Sequence, residues 1–255
     1  VRAPAFGLAP GWASGKRPYY EDALVTIYHG DSRQIVPHLG RFDLLLTDPP
    51  YGINADNRKR ILSRSKMAKA RDYGETQWDE SAPPRWVLDM LRDAADRQIL
   101  WGGNYYDALP AARGWLVWDK DNGANDFADC ELAWTNLEIA VRKFKWRWAG
   151  MLQENMAEKD VREHPTQKPL ALMTWCLGLV PDAATVLDPF AGSGTTGRAC
   201  KDMGRRCVLI EREERYCETA ARRMGQECLS FDPPNIPNHQ RAASAEPIPS
   251  NDRTK

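Results

Sequence analysis

The sequence predicts an α/β fold: one Rossmann-like domain on an open, seven-stranded, mostly parallel sheet with helices on both faces. Three observations predict it. Short apolar or β-branched runs recur along the chain. Stretches with apolar residues at helical spacing separate them. Most of the apolar runs end near Gly, Asp or Pro, where a chain leaves a sheet.

The expected strands are residues 24–28, 42–47, 98–101, 115–118, 185–187 and 207–210, with an antiparallel strand at 131–135. The expected helices lie between them. Residues 85–97 place Trp86, Val87, Met90, Leu91 and Ala94 three or four apart. Residues 170–180 follow Pro169, a favoured helix opener. Residues 195–203 stop at Gly204, and residues 213–224 stop at Gly225. Residues 1–20 are rich in Pro, Gly and Ala and read as a flexible arm. Residues 21–230 form the domain, and 231–255, polar with five prolines, read as a disordered tail.

With 255 residues and 42% hydrophobic content, the chain can bury one sizeable core. No apolar run reaches the roughly 20 residues of a membrane span, and the expected setting is the cytoplasm. The six cysteines form no Cys-x-x-Cys pair and the four histidines are scattered, so neither a metal site nor a disulfide framework is expected. Thirty-five basic residues balance 35 acidic ones. A polyanionic partner would therefore need local basic patches.

Two motifs carry chemistry. In Asp188-Pro-Phe-Ala-Gly192-Ser-Gly194-Thr195, a strand runs through a glycine turn into a helix, and Gly192 and Gly194 let backbone pass close to a ligand. Glu211 ends the next strand, about 20 residues on, where a carboxylate can accept from both hydroxyls of a ribose. Together they read as a nucleoside pocket. The pattern is neither Gly-x-Gly-x-x-Gly nor a phosphate-cradling Gly-Lys-Thr loop, although a nicotinamide dehydrogenase would share the layout. The second motif, Asp48-Pro49-Pro50-Tyr51, ends the strand at 42–47. Two prolines fix the turn and remove two N–H donors. A carboxylate and the Pro49 carbonyl remain to hold both N–H bonds of an exocyclic amine, whose lone pair is otherwise delocalised into its ring. Tyr51 offers a flat face to a base rotated out of a duplex.

With these motifs in this order, the sequence resembles the β group of amino-group DNA methyltransferases, in which the motif order is circularly permuted. The resemblance covers roughly 24–224 and includes Asp31 in Ile27-Tyr-His-Gly-Asp31, Trp101-Gly-Gly-Asn-Tyr105, Trp115-Leu-Val-Trp-Asp-Lys120 and His164-Pro-Thr-Gln-Lys168-Pro169. It implies a Rossmann-like methyltransferase fold, S-adenosylmethionine as cofactor, and methylation of adenine N6 or cytosine N4 in double-stranded DNA by a monomer or homodimer. Asp31 would meet the cofactor's adenine end. Asp188, Phe190, Gly192, Gly194 and Thr195 would line its methionine and ribose, Glu211 would hold the ribose, and Lys168 would approach the methionine carboxylate. Asp31 as a helix cap and Lys168 as a solvated lysine are the competing readings. Asp in first position is similar to the adenine-N6 enzymes, and Ser there is more often a mark of the cytosine-N4 ones. A catalytically silent DNA-binding subunit is the reading from another class.

Two basic segments are the expected DNA contacts. Residues 52–71 hold seven Lys or Arg, among them Arg58, Lys59, Arg60 and Arg64, against one acid. In residues 142–148, read as a strand, Phe144, Trp146 and Trp148 share one face with Arg142, while Lys143, Lys145 and Arg147 share the other. This segment falls in the expected target-recognition insertion, about 121–163. Solvated charge and an edge strand guarded by lysines are the competing readings.

Overall fold

A computed structural model describes residues 17–53, 81–107, 109–122, 128–149, 152–154 and 167–226 of the chain. Nine strands make one sheet: β1 (Tyr20–Glu21), β2 (Val25–His29), β3 (Phe42–Thr47), β4 (Ala95–Trp101), β5 (Trp115–Asp119), β6 (Cys130–Thr135), β7 (Arg142–Lys145), β10 (Thr185–Asp188) and β11 (Arg206–Glu211). Two further short strands, β8 (Trp148–Ala149) and β9 (Leu152–Gln153), pair with each other. The sheet order is β1-β2-β11-β10-β3-β4-β6-β5-β7. All strands but β1 and β6 run the same way, so seven parallel strands form its body.

The helices are α1 (Ser32–Ile35), α2 (Arg85–Asp93), α3 (Leu170–Gly178), α4 (Thr195–Asp202) and α5 (Glu214–Gly225). They cover both faces. Helices α3, α4 and α5 close one side through Leu172, Trp175, Cys200 and Ala220 on Val25, Leu44 and Leu46. On the other side α1 and α2 pack Ile35, Val87, Leu88 and Leu91 on Leu45, Leu187 and Val208. Leu44, Leu45 and Leu46 are therefore all fully buried, each stabilising the fold by about 1.5–3 kcal/mol. This explains why β3 reads as an unbroken apolar run.

The topology fixes where a ligand can sit. After β10 the chain crosses through α4 to β11 on one side; after β3 it crosses through α2 to β4 on the other. The order therefore reverses between β10 and β3, which lie side by side with Val186 opposite Leu44. Open α/β sheets bind ligands outside the carboxyl ends of the strands at such a point. Both sequence motifs begin there.

Several boundaries differ from the sequence expectation. The sheet has nine strands because short edge pairs, β1 and β7, join it. The end of the supposed arm, at Tyr20, is already β1. Residues 1–16 and 227–255 lie outside the described residues. The helix expected over 85–97 stops at Asp93, since Ala95 pairs with Phe42 and Arg97 with Leu44 in the sheet. Trp86, expected on its buried face, is 56% exposed; Val87, Leu88 and Leu91 face the core instead. The strand expected over 142–148 breaks after Lys145, where the Trp146 N–H turns to the Asp119 carbonyl at 2.9 Å. Cys176, Cys200, Cys207 and Cys217 are buried free thiols, as core filler requires, whereas Cys130 is exposed.

Gly194 has a packing role. It precedes α4 with φ +79°, and a Cβ there would lie 2.8 Å from the Ala220 Cβ of α5. Gly194→Ala should lower unfolding stability by about 2 kcal/mol or more, from left-handed strain and overpacking together. Urea denaturation checks this; an unchanged midpoint would contradict the close approach of α4 and α5.

Candidate active site

A cavity of about 390 Å³ opens at the carboxyl edge of the sheet, lined from Glu211 and Gly192 through Asp188 to Asp48 and Lys168. It joins the ends of β11, β10 and β3 in one space. Its two halves differ in chemistry.

The glycine-turn half is built around two carboxylates. Asp188 ends β10. Its Oδ1 accepts from the Thr47 hydroxyl at 2.8 Å and from the Phe190 N–H at 3.1 Å. Burial pushes this carboxyl up to about 6, against the opposing hydrogen bonds of Thr196, Thr47 and Phe190. Glu211 ends β11. Its Oε2 accepts from the Gly192 N–H and its Oε1 from the Glu213 N–H, each at 2.8 Å. Burial raises its pKa while these N–H groups oppose the rise. The two bonds fix the carboxylate at the cavity wall.

Phe190, Gly192 and Thr195 line the same wall. Gly194 is not among the lining residues; it is spent on packing. Asp31 lines the cavity, and it caps α1 by accepting from the Arg33 N–H at 2.9 Å while pairing with the Arg33 guanidinium at 2.5 Å.

In the other half, Asp48-Pro-Pro-Tyr leaves β3 as a turn held from behind. Tyr106 donates its hydroxyl to the Pro49 carbonyl at 2.9 Å, so this carbonyl has one lone pair engaged. The Tyr51 ring lies against Gly102, where a Cβ would come within 2.1 Å of Tyr51 Cε1. Only glycine fits there, and its φ of +74° also suits glycine. Tyr105, 42% exposed, stacks with Tyr51 at 4.9 Å between centroids and 17° between planes.

The Asp48-Pro-Pro-Tyr turn carries a cluster of charge. Lys168 is only 6% exposed, which removes the reading of a solvated lysine. Its ammonium donates to Asp48 Oδ2 at 2.5 Å, to the Tyr51 hydroxyl at 3.0 Å and to Glu131 Oε2 at 3.0 Å. Tyr51 in turn donates to Asp48 Oδ1 at 2.5 Å and lies 3.4 Å from Glu131 Oε2. Lys120 holds the other oxygen of Glu131 at 2.5 Å.

These neighbours set the charges. Burial pushes the Asp48 carboxyl up, with Lys168 pulling against it and Glu131 adding to the rise. Burial would lower Lys168, but Asp48 and Glu131 outweigh it and keep the ammonium above its usual value. Burial would raise Glu131 too; Lys168 and Lys120 overcome this and hold it at about 2. Burial and the charges of Asp48 and Glu131 keep the Tyr51 phenol well above its ordinary range.

The expected DNA contacts fall elsewhere. Arg58, Lys59, Arg60 and Arg64 lie outside the described residues. Lys143, Lys145 and Arg147 are exposed, as expected, but each pairs with an acid: Lys143 with Asp119 at 3.2 Å, Lys145 with Asp121 at 3.0 Å and Arg147 with Asp121 at 2.5 Å. On the opposite face Phe144 is fully buried and Trp148 nearly so, whereas Arg142 is exposed.

Sequence reasoning missed Glu131, Lys120, Tyr105 and Tyr106 as members of the site. Glu131 had one visible signal, an acid inside an otherwise apolar strand pattern. Tyr105 and Lys120 stand in quoted motifs without a role, and Tyr106 lies one residue beyond the first of these.

Comparison with known proteins agrees with this geometry. The family profile N6_N4_Mtase, DNA methylase, matches residues 116–222. The chain is 24% identical to the type II methyltransferase M2.MboI of Moraxella bovis, over 81% of this chain and 90% of that one. It is 25% identical to the type II methyltransferase M.ScaI of Streptomyces caespitosus, over 84% and 86%. Among solved structures, the PvuII DNA methyltransferase (cytosine-N4-specific) shares the fold, with a TM-score of 0.54 and 16% identity over 85% of this chain and 92% of that one. The chain is thus similar to amino-group (N6/N4) DNA methyltransferases in a family profile over residues 116–222, in relatives matched along most of their length, and in fold.

Proposed function

We propose that the protein transfers a methyl group from S-adenosylmethionine to the N6 amine of adenine in double-stranded DNA. The observation that carries this reading is the single cavity joining the Glu211–Gly192 wall to Asp48. A nucleoside cofactor and an amine can meet there, with no wall between.

The residues present fit the cofactor. Glu211 is buried, fixed by two N–H groups and placed to accept from ribose hydroxyls. The glycine turn and Phe190 supply a close backbone and an apolar surface beside it. When bound, S-adenosylmethionine supplies a methyl group already activated on a sulfonium, so the chain needs no nucleophile of its own. Asp31 stands at the adenine end of the cavity in this reading. Lys168 lies between the halves; a contact with the methionine carboxylate would be made in exchange for one of its three present acceptors.

The protein's task is to hold the amine. Asp48 and the Pro49 carbonyl accept its two N–H bonds and favour a pyramidal nitrogen whose lone pair can form the new N–C bond. The methylated nitrogen then sheds one proton, and the Asp48 carboxyl, raised by burial, is an acceptor within reach. The target base enters extruded from the duplex, as enzymes acting on a base require. Arg58, Lys59, Arg60 and Arg64 follow the catalytic turn directly and would close on phosphates. Lys143, Lys145 and Arg147 would add a second contact by exchanging their acid partners for phosphate. Asp at the first motif position supports adenine over cytosine. We place the protein in the cytoplasm as a monomer or homodimer.

Incubation with duplex DNA and methyl-labelled S-adenosylmethionine, followed by digestion to nucleosides, tests the reading. Label is expected in N6-methyladenine; label in N4-methylcytosine alone would replace the base assignment, and no label in DNA would remove the function. Asp48→Ala should slow transfer by about 100-fold or more while cofactor binding persists. Glu211→Ala should weaken cofactor affinity by roughly tenfold or more, the worth of hydrogen bonds to a charged acceptor; titration calorimetry measures it, and an unchanged affinity would take the ribose from Glu211. Binding to non-cognate duplex should weaken steeply with salt, the slope reporting the number of phosphate contacts.

A further inference from the structure

In the catalytic turn, both oxygens of Asp48 are already in use. Oδ2 accepts from Lys168 at 2.5 Å and Oδ1 from the Tyr51 hydroxyl at 2.5 Å. An incoming amine must therefore compete for its acceptor. Both present donors have a second acceptor in view, and it is the same atom: Glu131 Oε2 lies 3.0 Å from Lys168 Nζ and 3.4 Å from the Tyr51 hydroxyl. Lys120 pins the far oxygen of Glu131 at 2.5 Å. Glu131 stands on β6, a strand that runs against its neighbours β4 and β5 and so brings this side chain in from the other direction.

Resting on the methyl-transfer reading, we propose that Glu131 is a positioning residue: it takes over Lys168 and the Tyr51 hydroxyl as the substrate amine takes Asp48. The geometry needs only small shifts, since each donor already sits at or near hydrogen-bond distance from both carboxylates.

The electrostatic logic points the same way. Methyl transfer builds positive charge on the amine nitrogen, and an acceptor bearing net negative charge stabilises it. Were Lys168 bound to Asp48 alone, the pair would be neutral and the nitrogen would face little net charge. Shared with Glu131, Lys168 leaves Asp48 charged. Glu131 can do this because two ammoniums keep it ionised. Among the described residues, the charged and titratable groups around the two carboxylates are Lys168, Lys120 and Tyr51, with Asp188 facing Asp48 from the end of β10.

The test uses the full-length chain, S-adenosylmethionine and phage DNA grown on a host without DNA methyltransferases. Single-turnover methylation is measured across pH, with cofactor affinity and thermal stability measured in parallel. Glu131→Gln keeps the shape and removes the charge. It is expected to slow the single-turnover step by about tenfold or more with cofactor affinity within about threefold of wild type. The sign of the pH effect follows from Asp48, which must be ionised to accept the amine, so activity falls as pH drops through its pKa. Losing a neighbouring anion and gaining all of Lys168 lowers that pKa, so the acid limb should move to lower pH. Lys120→Met should move it the opposite way, because it leaves Glu131 freer to draw Lys168 from Asp48. If Glu131→Gln folds poorly, Lys120→Met and Glu131→Asp still decide. The latter keeps the charge and should retain more activity than Glu131→Gln.

A Glu131→Gln rate within twofold of wild type overturns the proposal, and so does a slow variant whose acid limb does not move. A Lys120→Met limb that stays put or moves down also overturns it. Wild-type protein that labels no DNA would instead remove the methyl-transfer reading itself, a result separable from any of these.

Discussion

The 2.8 Å hydrogen bond from Thr47 to Asp188 joins the last residues of β3 and β10 at the place where the sheet reverses its winding. The rest of the site depends on that junction. One residue beyond Thr47 is Asp48; two residues beyond Asp188 is Phe190. The two motifs lie 140 residues apart in the chain (188 − 48), yet strand pairing sets them side by side to within a hydrogen bond. The register of β10 on β3 therefore decides whether the Asp48-Pro-Pro-Tyr turn and the Glu211–Gly192 wall share a cavity. A slip by one residue would send every side chain of β3 to the other face and part Thr47 from Asp188.

Charge is the second constraint. The Asp48-Pro-Pro-Tyr turn gathers two carboxylates, two ammoniums and a phenol in partly buried space. A buried carboxylate without a partner is costly, and a buried pair is only as good as its geometry. The arrangement meets this with alternation: Lys120, Glu131, Lys168 and Asp48 follow one another, each within 3.0 Å of the next. Asp188 and Glu211 are satisfied differently, by hydroxyls and backbone N–H groups. The two halves thus differ in how their negative charge is balanced, as a sulfonium-bearing ligand and a neutral amine would require.

Much of this was legible in the sequence, for definable reasons. The parallel strands are buried on both faces, so their apolar runs announce themselves, and β3 was bounded to the residue. The antiparallel sense of β6 was also read correctly. Asp48, Asp188, Gly192 and Glu211 stand at strand ends, where local pattern and ligand chemistry coincide. What could not be read was decided by pairing across the chain. Helix α2 ends early because β3 recruits Ala95 and Arg97 into the sheet, which helical spacing does not reveal. Gly194 looked like a ligand contact because packing on Ala220 and close approach to a ligand ask for the same residue. Glu131 was taken for part of a strand and nothing more, since its partners come from positions 120 and 168. The pairing of Lys143, Lys145 and Arg147 with Asp119 and Asp121 was hidden in the same way.

The packing around Tyr51 carries one more consequence. The Tyr51 ring has two covers: the backbone of Gly102 lies against it, and the ring of Tyr105 stacks on it. The first cover is part of the main chain; the second is a side chain at the surface. A flat molecule that stacks on the face held by Tyr105 must displace that ring. Entry is then a swap of one stacking partner for another, and its net gain is the difference between two similar interactions. A loose nucleobase in solution has little to win from that trade. On the proposed reading, a base delivered by a duplex gripped elsewhere would draw on the rest of the complex, and the tyrosine stack would favour bases presented in a strand.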